Sequence, residues 1–197
     1  MAAYAAQMPL VQTPGVTWGY SNLGYVLLSR IIRDAAGGSA VDAGRFVRHE
    51  LFAPLGMRNA VIETDATGTP VGASNVYASA RDFARFGQLY LDDGMVNGRR
   101  LLPDAWVAYS NSQTIETGYG AGFWNNLVDG EVPIWRAPWG LPQLPKDMYY
   151  ARGALGQYVV IVPSERLVVV RMGISLDYGT GIGESREIGR ASCMERV

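Results

Sequence analysis

Two runs of β-branched residues constrain the fold of this chain more than any other feature of its sequence. They cover residues 158–162 and 167–170, consist mainly of Val and Ile, and are separated by a short segment that begins with Pro163. Runs of this kind favour strands, and a short break between two of them predicts a β-hairpin. Because apolar and polar residues do not alternate in either run, both faces of the hairpin should be buried. The sequence therefore predicts an antiparallel sheet under helical cover.

The first part of the chain carries the spacing of helices instead. Between residues 22 and 36, apolar side chains recur at the intervals of an amphipathic helix. The pair Gly37 and Gly38 can end this helix. The recurring apolar residues are Leu23, Leu27, Leu28, Ile31, Ile32 and Ala35.

Further helix starts are predicted from residues that suit the first helical turn. Asp42 can cap a second helix, and Ser79 followed by Asp82 resembles a capping box at the start of another. Pro103 suits the first position of a short helix that continues through Trp106.

The composition changes near residue 118, and this change gives the predicted organisation. Residues 118–150 are rich in Trp, Tyr, Gly and Pro, which is typical of strands and long loops. We predict a mostly helical region over residues 1–117, antiparallel strands and loops over 118–178, and a truncated end with a non-native tail over 179–197. The predicted fold class is α+β, with a helical region followed by an antiparallel sheet that helices cover.

The overall composition excludes several classes of protein and of site. The chain has 197 residues, 48% of them hydrophobic and 18% charged, with a formal net charge of −1, so it has no basic stripe for nucleic acid. Cys193 is the single cysteine, which excludes a disulfide framework. His49 is the single histidine and fits a helix surface, so a histidine-dependent triad has no evident partner motif. No apolar run is long enough to span a membrane, and no metal or cofactor is implied.

Both ends of the sequence are unusual. The first residues lead directly into a motif that normally lies well inside a domain, so we expect an internal piece of a longer protein whose compartment is unknown. Residues 188–197 follow no helix or strand period and resemble a translated sequencing adapter, with Met194 in place of the expected arginine. Such segments are set aside before the fold is considered. A natural disordered tail is the alternative.

Three segments of the chain, taken in order, resemble one family. Residues 14–25 contain Tyr20 and Asn22 spaced as in the Tyr-x-Asn box of class C β-lactamases, D-alanyl-D-alanine carboxypeptidases and related esterases. Residues 77–103 look like the helix and turn that follow this box, and residues 151–158 resemble the strand that edges the active site. The Gly-x-x-Gly-Gln pattern there is most similar to the esterase and 6-aminohexanoate-dimer hydrolase branch. The resemblance is to the C-terminal part of these serine hydrolases and implies a partial β-lactamase or transpeptidase-like fold.

By this resemblance, Tyr20 and Asn22 are catalytic candidates. A serine hydroxyl needs a nearby base, and a tyrosine with an ordinary pKa of about 10 can serve as one where cations favour its phenolate. The amide of Asn22 can orient a substrate carbonyl or a catalytic lysine. The alternatives are an aromatic packed at a helix start for Tyr20 and an N-cap for Asn22.

The resemblance also implies roles in the strand segment. Acyl transfer needs backbone N–H donors aimed at the developing oxyanion, and the N–H of Ala154 is the catalytic candidate. Gly153 lets a substrate approach the backbone closely, although a tight strand entry explains the glycines as well. Ala151 stands where the family often has a lysine or histidine, so the usual cation is missing. Arg152 should point to the opposite face, because side chains alternate along a strand.

Bulky aromatic residues in the second part of the chain are candidates for the wall of an acyl pocket, since such pockets are mainly apolar. A plain hydrophobic core explains them equally well. The cluster consists of Trp124, Trp135, Trp139, Tyr149 and Tyr150. We assign substrate binding to Trp124, Trp135, Tyr150 and Gly153.

The sequence lacks the nucleophile of the family it resembles, which is a Ser-x-x-Lys box. Lys146 is the single lysine, and Gln143 stands three positions before it. We therefore expect the box upstream of Met1, in a missing N-terminal half of the same protein.

Together these features predict a fragment of a serine hydrolase that cleaves an ester or amide bond of a small molecule through an acyl-serine intermediate. We expect the fragment to be inactive alone. The alternative is a non-catalytic ligand-binding or scaffold protein built on the same fold. Alanine at position 151 disfavours β-lactams, whose carboxylate the missing cation would meet. Nucleic acid is not an expected partner.

Overall fold

The computed structural model describes residues 1–128 and 143–174, together with the backbone of short strands at 131–132, 137–138 and 194–196. Trp135, Trp139 and Cys193 therefore lie outside the described residues. The backbone divides into two compact units, Met1–Asp82 and Phe83–Val197. Helices come first and an antiparallel sheet second, which confirms the predicted α+β fold class. The domain boundaries that we placed after residues 117 and 178 stay a prediction.

The unit Met1–Asp82 consists mainly of helices. Its elements are α1 (Ala2–Ala5), α2 (Asn22–Ala36), α3 (Ala40–Val47), a π-helical turn (Arg48–Phe52) and the antiparallel strands β1 (Val61–Ile62) and β2 (Val76–Tyr77). α2 covers the residues that the sequence predicts. It ends at Gly37, which has a φ of 130° that glycine adopts readily.

α3 begins with a different capping residue from the one we expected. The Oγ of Ser39 accepts a hydrogen bond from the N–H of Asp42 at 3.1 Å, so our prediction that Asp42 is the cap is wrong. Ser39 has the extended backbone that an N-cap requires, whereas Asp42 already lies inside the first turn.

The side of α2 that is buried differs from the side that its apolar spacing indicates. Val26, Ser29 and Arg33 are buried, whereas Leu28 and Ile31 are 55% and 64% exposed. The exposed residues of this apolar stripe are Leu23, Leu28, Ile31 and Ile32. In the part of the chain that the structure describes, the stripe therefore lies at the surface.

The buried side of α2 is held by hydrogen bonds to the loop between β1 and β2. The guanidinium of Arg33 donates to the carbonyl of Thr67 at 2.9 Å and to the Oγ1 of Thr69 at 3.0 Å. Asp65 orders this loop, because its carboxylate accepts from Thr67 and from the N–H of Thr69. These hydrogen bonds, above all that from the Thr67 hydroxyl, hold the pKa of Asp65 well below its usual range. A buried guanidinium needs such partners, so the loop decides which side of α2 faces inwards.

The unit Phe83–Val197 is built around an antiparallel sheet. Its elements are α4 (Ala80–Leu91, which begins in the preceding unit), β3 (Met95–Val96), β4 (Arg99–Arg100), α5 (Trp106–Asn111), β5 (Trp124–Asn125), β6 (Glu131–Val132), β7 (Ala137–Pro138), β8 (Tyr149–Gly153), β9 (Gln157–Val162), β10 (Leu167–Arg171) and β11 (Met194–Arg196). The main sheet has the order β11-β10-β9-β8-β5, while β3 pairs with β4 and β6 with β7. β9 and β10 form the predicted hairpin, with Val160 opposite Val169.

Helix α4 covers one face of this sheet. A Cβ added to Gly87 would lie 2.5 Å from the Cγ1 of Val168 and 3.0 Å from the Cγ1 of Val159. The hydroxyl of Tyr149 donates to the carbonyl of Tyr90, also on α4, at 3.1 Å. Strand residues that lie directly opposite each other, or two positions apart, share a face, so these contacts define an α4 face of the sheet. The predicted helical cover is confirmed for this face.

The two predicted helix starts in this region have different outcomes. The predicted role of Ser79 at a helix start is confirmed, because its Oγ accepts the N–H of Asp82 at 3.1 Å and donates to the buried Asp82 carboxylate at 2.8 Å. The prediction for Pro103 is wrong, because α5 begins only at Trp106. Ala105 has a left-handed φ of 63°, which interrupts a right-handed helix.

Side chains also fix the far end of the β9–β10 hairpin, at its 3₁₀ turn Pro163–Glu165. The guanidinium of Arg166 contacts the carboxylate of Asp92 at 2.7 Å and the carbonyl of Leu91 at 3.2 Å, at the end of α4. The carboxylate of Asp147 accepts from the N–H and the hydroxyl of Ser164 at 2.6 and 2.9 Å. The hairpin is thus attached to α4 at its tip as well as along its length.

The C-terminal segment differs from our expectation that residues 188–197 form no element. The backbone of Met194–Arg196 pairs antiparallel with β10, with Arg196 opposite Leu167. A strand here satisfies N–H and C=O groups that β10 would otherwise leave open at the edge of the sheet.

Two observations bear on the classes of function that the sequence excluded. Among the described residues, none of the helices has both the length and the apolar character that crossing a membrane requires. The side chain of His49 is 85% exposed on the π-helical turn and is hydrogen bonded to Glu50 at 2.8 Å. His49 therefore has the helix-surface position that the sequence predicts.

We expect Gly87→Ala to lower the stability of the chain, because the added methyl group would overlap Val168, whose β-branched side chain has little rotamer freedom. Overpacking of this kind costs about 1–3 kcal/mol, more than the roughly 1 kcal/mol that alanine gains over glycine inside a helix. Urea unfolding measures the difference. Gly44→Ala on α3 is the matched control, since its added Cβ has nothing within 4 Å. An unchanged free energy of unfolding for Gly87→Ala would show that α4 does not press on the sheet.

Candidate active site

Tyr20 and Asn22 lie at the entry to α2. Ser21 between them is extended (φ −140°, ψ 111°), and its Oγ accepts the N–H of Gly24 at 3.3 Å. Ser21 is therefore the N-cap, and the alternative that Asn22 caps the helix is wrong. Because the intervening residue is extended, Tyr20 and Asn22 project to the same side of the backbone.

The two side chains differ in exposure. Asn22 is exposed, whereas Tyr20 is half-buried and its ring centroid lies 6.3 Å from that of Tyr25. Tyr20 is thus supported by a neighbouring aromatic ring, as the packing alternative expected, but it is not enclosed. An amide that the helix start does not use, beside a partly accessible phenol, can contact a ligand.

The strand β8 continues past the residues that pair with β5. The N–H of Asn126 donates to the carbonyl of Met148 at 3.1 Å. Since peptide directions alternate along a strand, Tyr150 and Arg152 direct their N–H and C=O groups to the same side as Met148. In the described part of the chain, β5 pairs with Tyr149 and Tyr150, so Arg152 lies beyond this pairing.

The N–H of Ala154 has the same direction. Gly153 is extended (φ −102°, ψ 168°), so the alternation carries on and the N–H of Ala154 lies on the same side as that of Arg152. Gly153 and Ala154 are both exposed. The role of this N–H as an oxyanion donor stays a prediction.

The predicted alternation at residues 151 and 152 is confirmed. Ala151 lies opposite Val159 and so belongs to the α4 face, whereas Arg152 lies opposite Tyr158 on the other face. The guanidinium of Arg152 therefore leaves the strand on the side away from position 151. It does not replace a cation there.

The predicted aromatic cluster is divided between the two faces of the sheet. Trp124 lies opposite Tyr150, and both are buried, at 3% and 7% exposure. Tyr119 meets the ring of Trp124 edge-on at 4.8 Å, and Tyr150 lies 5.9 Å from Tyr158. Tyr149 is on the α4 face, where burial raises the pKa of its phenol.

Substrate binding by Trp124 and Tyr150 stays a prediction, as does that by Gly153. The two aromatic rings pack against protein in the described structure, and Trp135 lies outside the described residues. Tyr20 and Asn22 are neighbours in the unit Met1–Asp82. Trp124 and Tyr150 are neighbours in the unit Phe83–Val197.

Sequence reasoning missed two side chains that hold the turn after Ala154. Arg171 donates to the carbonyl of Gly156, and the amide of Gln157 both donates to and accepts from the backbone of Gly173. Gln157 stands in the glycine-rich pattern, which is the signal that could have identified it. No sequence pattern identifies Arg171, which is simply the polar residue at the end of an apolar strand.

Comparison with known proteins gives one consistent result. The sequence matches the beta-lactamase family over residues 1–176. An uncharacterized protein of Alkalihalophilus pseudofirmus is 25% identical over 178 residues, which is 81% of this chain and 52% of that protein. Penicillin-binding protein 4 of Amycolatopsis lactamdurans is 25% identical over 209 residues, covering 86% of this chain and 51% of its own length.

A solved structure is similar as well. A Bacillus anthracis protein assigned as a 6-aminohexanoate-dimer hydrolase superposes with a TM-score of 0.69 at 24% identity, over 96% of this chain and 49% of that one. This likeness shows the fold. The chain spans about half the length of the curated relatives that it matches.

We expect Ser21→Ala to lower the free energy of unfolding by about 1 kcal/mol, because it removes the side chain that caps α2. Asn22→Ala is the matched neighbour and should have almost no effect on stability, since Asn22 is exposed and lies after the cap. Chemical denaturation of the two variants beside the unchanged chain measures both values. If Asn22→Ala cost as much as Ser21→Ala, the cap would have been assigned to the wrong residue.

Proposed function

Because this chain belongs to the beta-lactamase family, we propose that it is part of a serine hydrolase that cleaves an ester or amide bond through an acyl-serine intermediate. The observation that carries the proposal is the position of Tyr20 and Asn22. Both lie on one side of the backbone, and Ser21, not Asn22, caps the helix. If Asn22 capped the helix, this structural role alone would explain why an asparagine stands there. Because Ser21 is the cap, that explanation does not apply.

In the proposed mechanism, Tyr20 exchanges the proton of the serine nucleophile. Tyr20 is half-buried and not enclosed, which supports its contact with a reacting group. Removing the serine proton as the oxygen attacks the carbonyl gives a tetrahedral intermediate, and returning the proton to the leaving group completes acylation. Asn22 holds the substrate carbonyl or an activating lysine through its exposed amide.

The N–H of Ala154 stabilises the negative charge that develops on the carbonyl oxygen. A backbone donor suits this task, because the strand fixes its direction before the reaction starts and no side chain has to be ordered. Its exposed position at the end of β8, next to the side-chain-free Gly153, supports this role.

We propose that the nucleophile lies in a segment upstream of this chain. The sequence has no Ser-x-x-Lys box, and the chain spans about half the length of the curated relatives that it matches. The exposed apolar stripe of α2 gives such a segment a surface on which to pack. The chain alone is then inactive for lack of a nucleophile.

The substrate is a small ester or amide. Ala151 has no charge with which to meet a substrate carboxylate, and the guanidinium of Arg152 leaves the other face of β8. This arrangement favours substrates without a carboxylate at that position over carboxylate-bearing β-lactams. The alternative function is a ligand-binding or scaffold protein that keeps the fold without the chemistry. An upstream reading frame that lacks Ser-x-x-Lys would favour the alternative.

We expect the purified 197-residue chain to hydrolyse p-nitrophenyl esters and nitrocefin no faster than a heat-denatured control, because it has no Ser-x-x-Lys box. The same assay on the protein extended by its natural upstream segment should show turnover that a serine-directed reagent blocks. Activity of the chain alone that follows its folded fraction and is blocked by that reagent would contradict an upstream nucleophile.

In the extended protein, we expect Tyr20→Phe to lower kcat by about 10²–10⁴-fold, the usual worth of general acid–base catalysis. Phenylalanine keeps the ring and its packing but removes the hydroxyl that carries the proton. Tyr25→Phe is the matched control, since it removes a hydroxyl from the adjacent ring and should change kcat by less than about threefold when no proton transfer is lost. Thermal melts check that both variants fold. If Tyr20→Phe kept near-full activity, Tyr20 would be a packing residue.

A further inference from the structure

The turn between β8 and β9 has a backbone that its sequence alone would not favour. The 3₁₀ turn Ala154–Gly156 contains Leu155 at φ 62° and ψ 25°, a left-handed conformation that costs energy for a residue with a side chain. Leu155 is 40% exposed, so its burial is only partial. A strained residue of this kind persists only where its surroundings hold it.

The contacts that hold this turn come from the end of β10. The guanidinium of Arg171 donates to the carbonyl of Gly156. The side-chain amide of Gln157 donates to the carbonyl of Gly173 and accepts its N–H at 3.1 Å, so it bonds both backbone groups of one residue. Gly156, the last residue of the turn, and Gln157, the first residue of β9, are therefore both bonded to residues at or just after the end of β10.

These bonds are additional to what a hairpin needs. The pairing of Gly153 with Gln157 already closes the β8–β9 ladder. The bond from Arg171 instead acts on Gly156, the last of the three residues outside the ladder. The bonds from Gln157 anchor the residue that directly follows this turn. The bond from Arg171 is charge-assisted and so roughly twice as strong as a neutral one.

We propose that Arg171 and Gln157 are positioning residues that hold the turn Ala154–Gly156, so that the N–H of Ala154 keeps one direction at the end of β8. Neither side chain contacts the substrate in this proposal. Its catalytic part rests on the proposed function, in which that N–H stabilises the oxyanion. Displacing the donor by about 1 Å can lower the reaction rate by about 10²-fold. Contacts from outside the turn that fix its position therefore favour catalysis.

The first test uses the 197-residue chain and does not depend on activity. Hydrogen–deuterium exchange by mass spectrometry is measured for a peptide that covers residues 150–158, in Arg171→Met and in Arg171→Lys. We expect exchange about 10-fold faster in Arg171→Met, which keeps the stem but loses the donor, and near-original exchange in Arg171→Lys, which keeps a charged donor.

Arg166→Met is the matched control for this test. It removes an arginine from the other end of the same hairpin, where the partners are Asp92 and Leu91. Exchange should rise around residues 163–167 and stay unchanged at 150–158. Unchanged exchange at 150–158 in Arg171→Met would overturn the proposal.

The second test uses the protein extended by its natural upstream segment. Arg171→Met and Gln157→Met should each lower kcat by about 10-fold or more with KM nearly unchanged, because an oxyanion donor acts in the transition state. Arg171→Lys should recover most of the loss, and Arg166→Met should keep kcat. Faster exchange with an unchanged kcat would overturn the positioning role. An extended wild-type protein without activity would instead refute the proposed function, while the exchange test still decides whether Arg171 holds the turn.

Discussion

The close approach of Gly87 to Val159 and Val168 is the contact on which the geometry of the second unit depends. A slip of one residue in strand pairing would exchange every side chain between the two faces of the sheet. With α4 pressed against the valines at this distance, only one register buries them. The same register directs the peptide groups of Met148, Tyr150 and Arg152 towards the side of β8 on which β5 pairs. The direction of the N–H of Ala154 is thus a consequence of how a helix packs on the neighbouring strands.

Local interactions explain which parts of the fold could be predicted from the sequence. The bounds of α2, the β9–β10 hairpin and the contact of Ser79 with Asp82 all depend on residues that are near each other in the chain. Predictions failed where the conformation of a single residue decided the outcome. The left-handed backbone of Ala105 delays α5, and the extended backbone of Ser39 makes it the cap of α3.

The buried side of α2 could not be predicted for a different reason. Apolar spacing indicates the side that contains Leu28 and Ile31, but Arg33 is the residue that the described structure buries. Besides the adjacent Asp34, its partners are a carbonyl and a hydroxyl from a loop more than thirty positions away, and no local pattern encodes these two contacts. At the candidate site, similarly, the sequence identified Tyr20, Asn22 and Ala154 through motifs. It could not identify Arg171, whose contact with Gly156 joins residues 15 positions apart.

The attachment of Arg166 to Asp92 has a consequence for the order in which this unit folds. The β9–β10 hairpin is closed by a short turn, so it pays little entropy to form, whereas the contact between Arg166 and Asp92 closes a loop of 74 residues. We therefore expect the hairpin to form early and the Arg166 contact to form late, after the top of the folding barrier. Changes inside the Pro163–Glu165 turn should then slow folding. Loss of the Arg166 contact should mainly speed unfolding, which paired measurements of the two rates can decide.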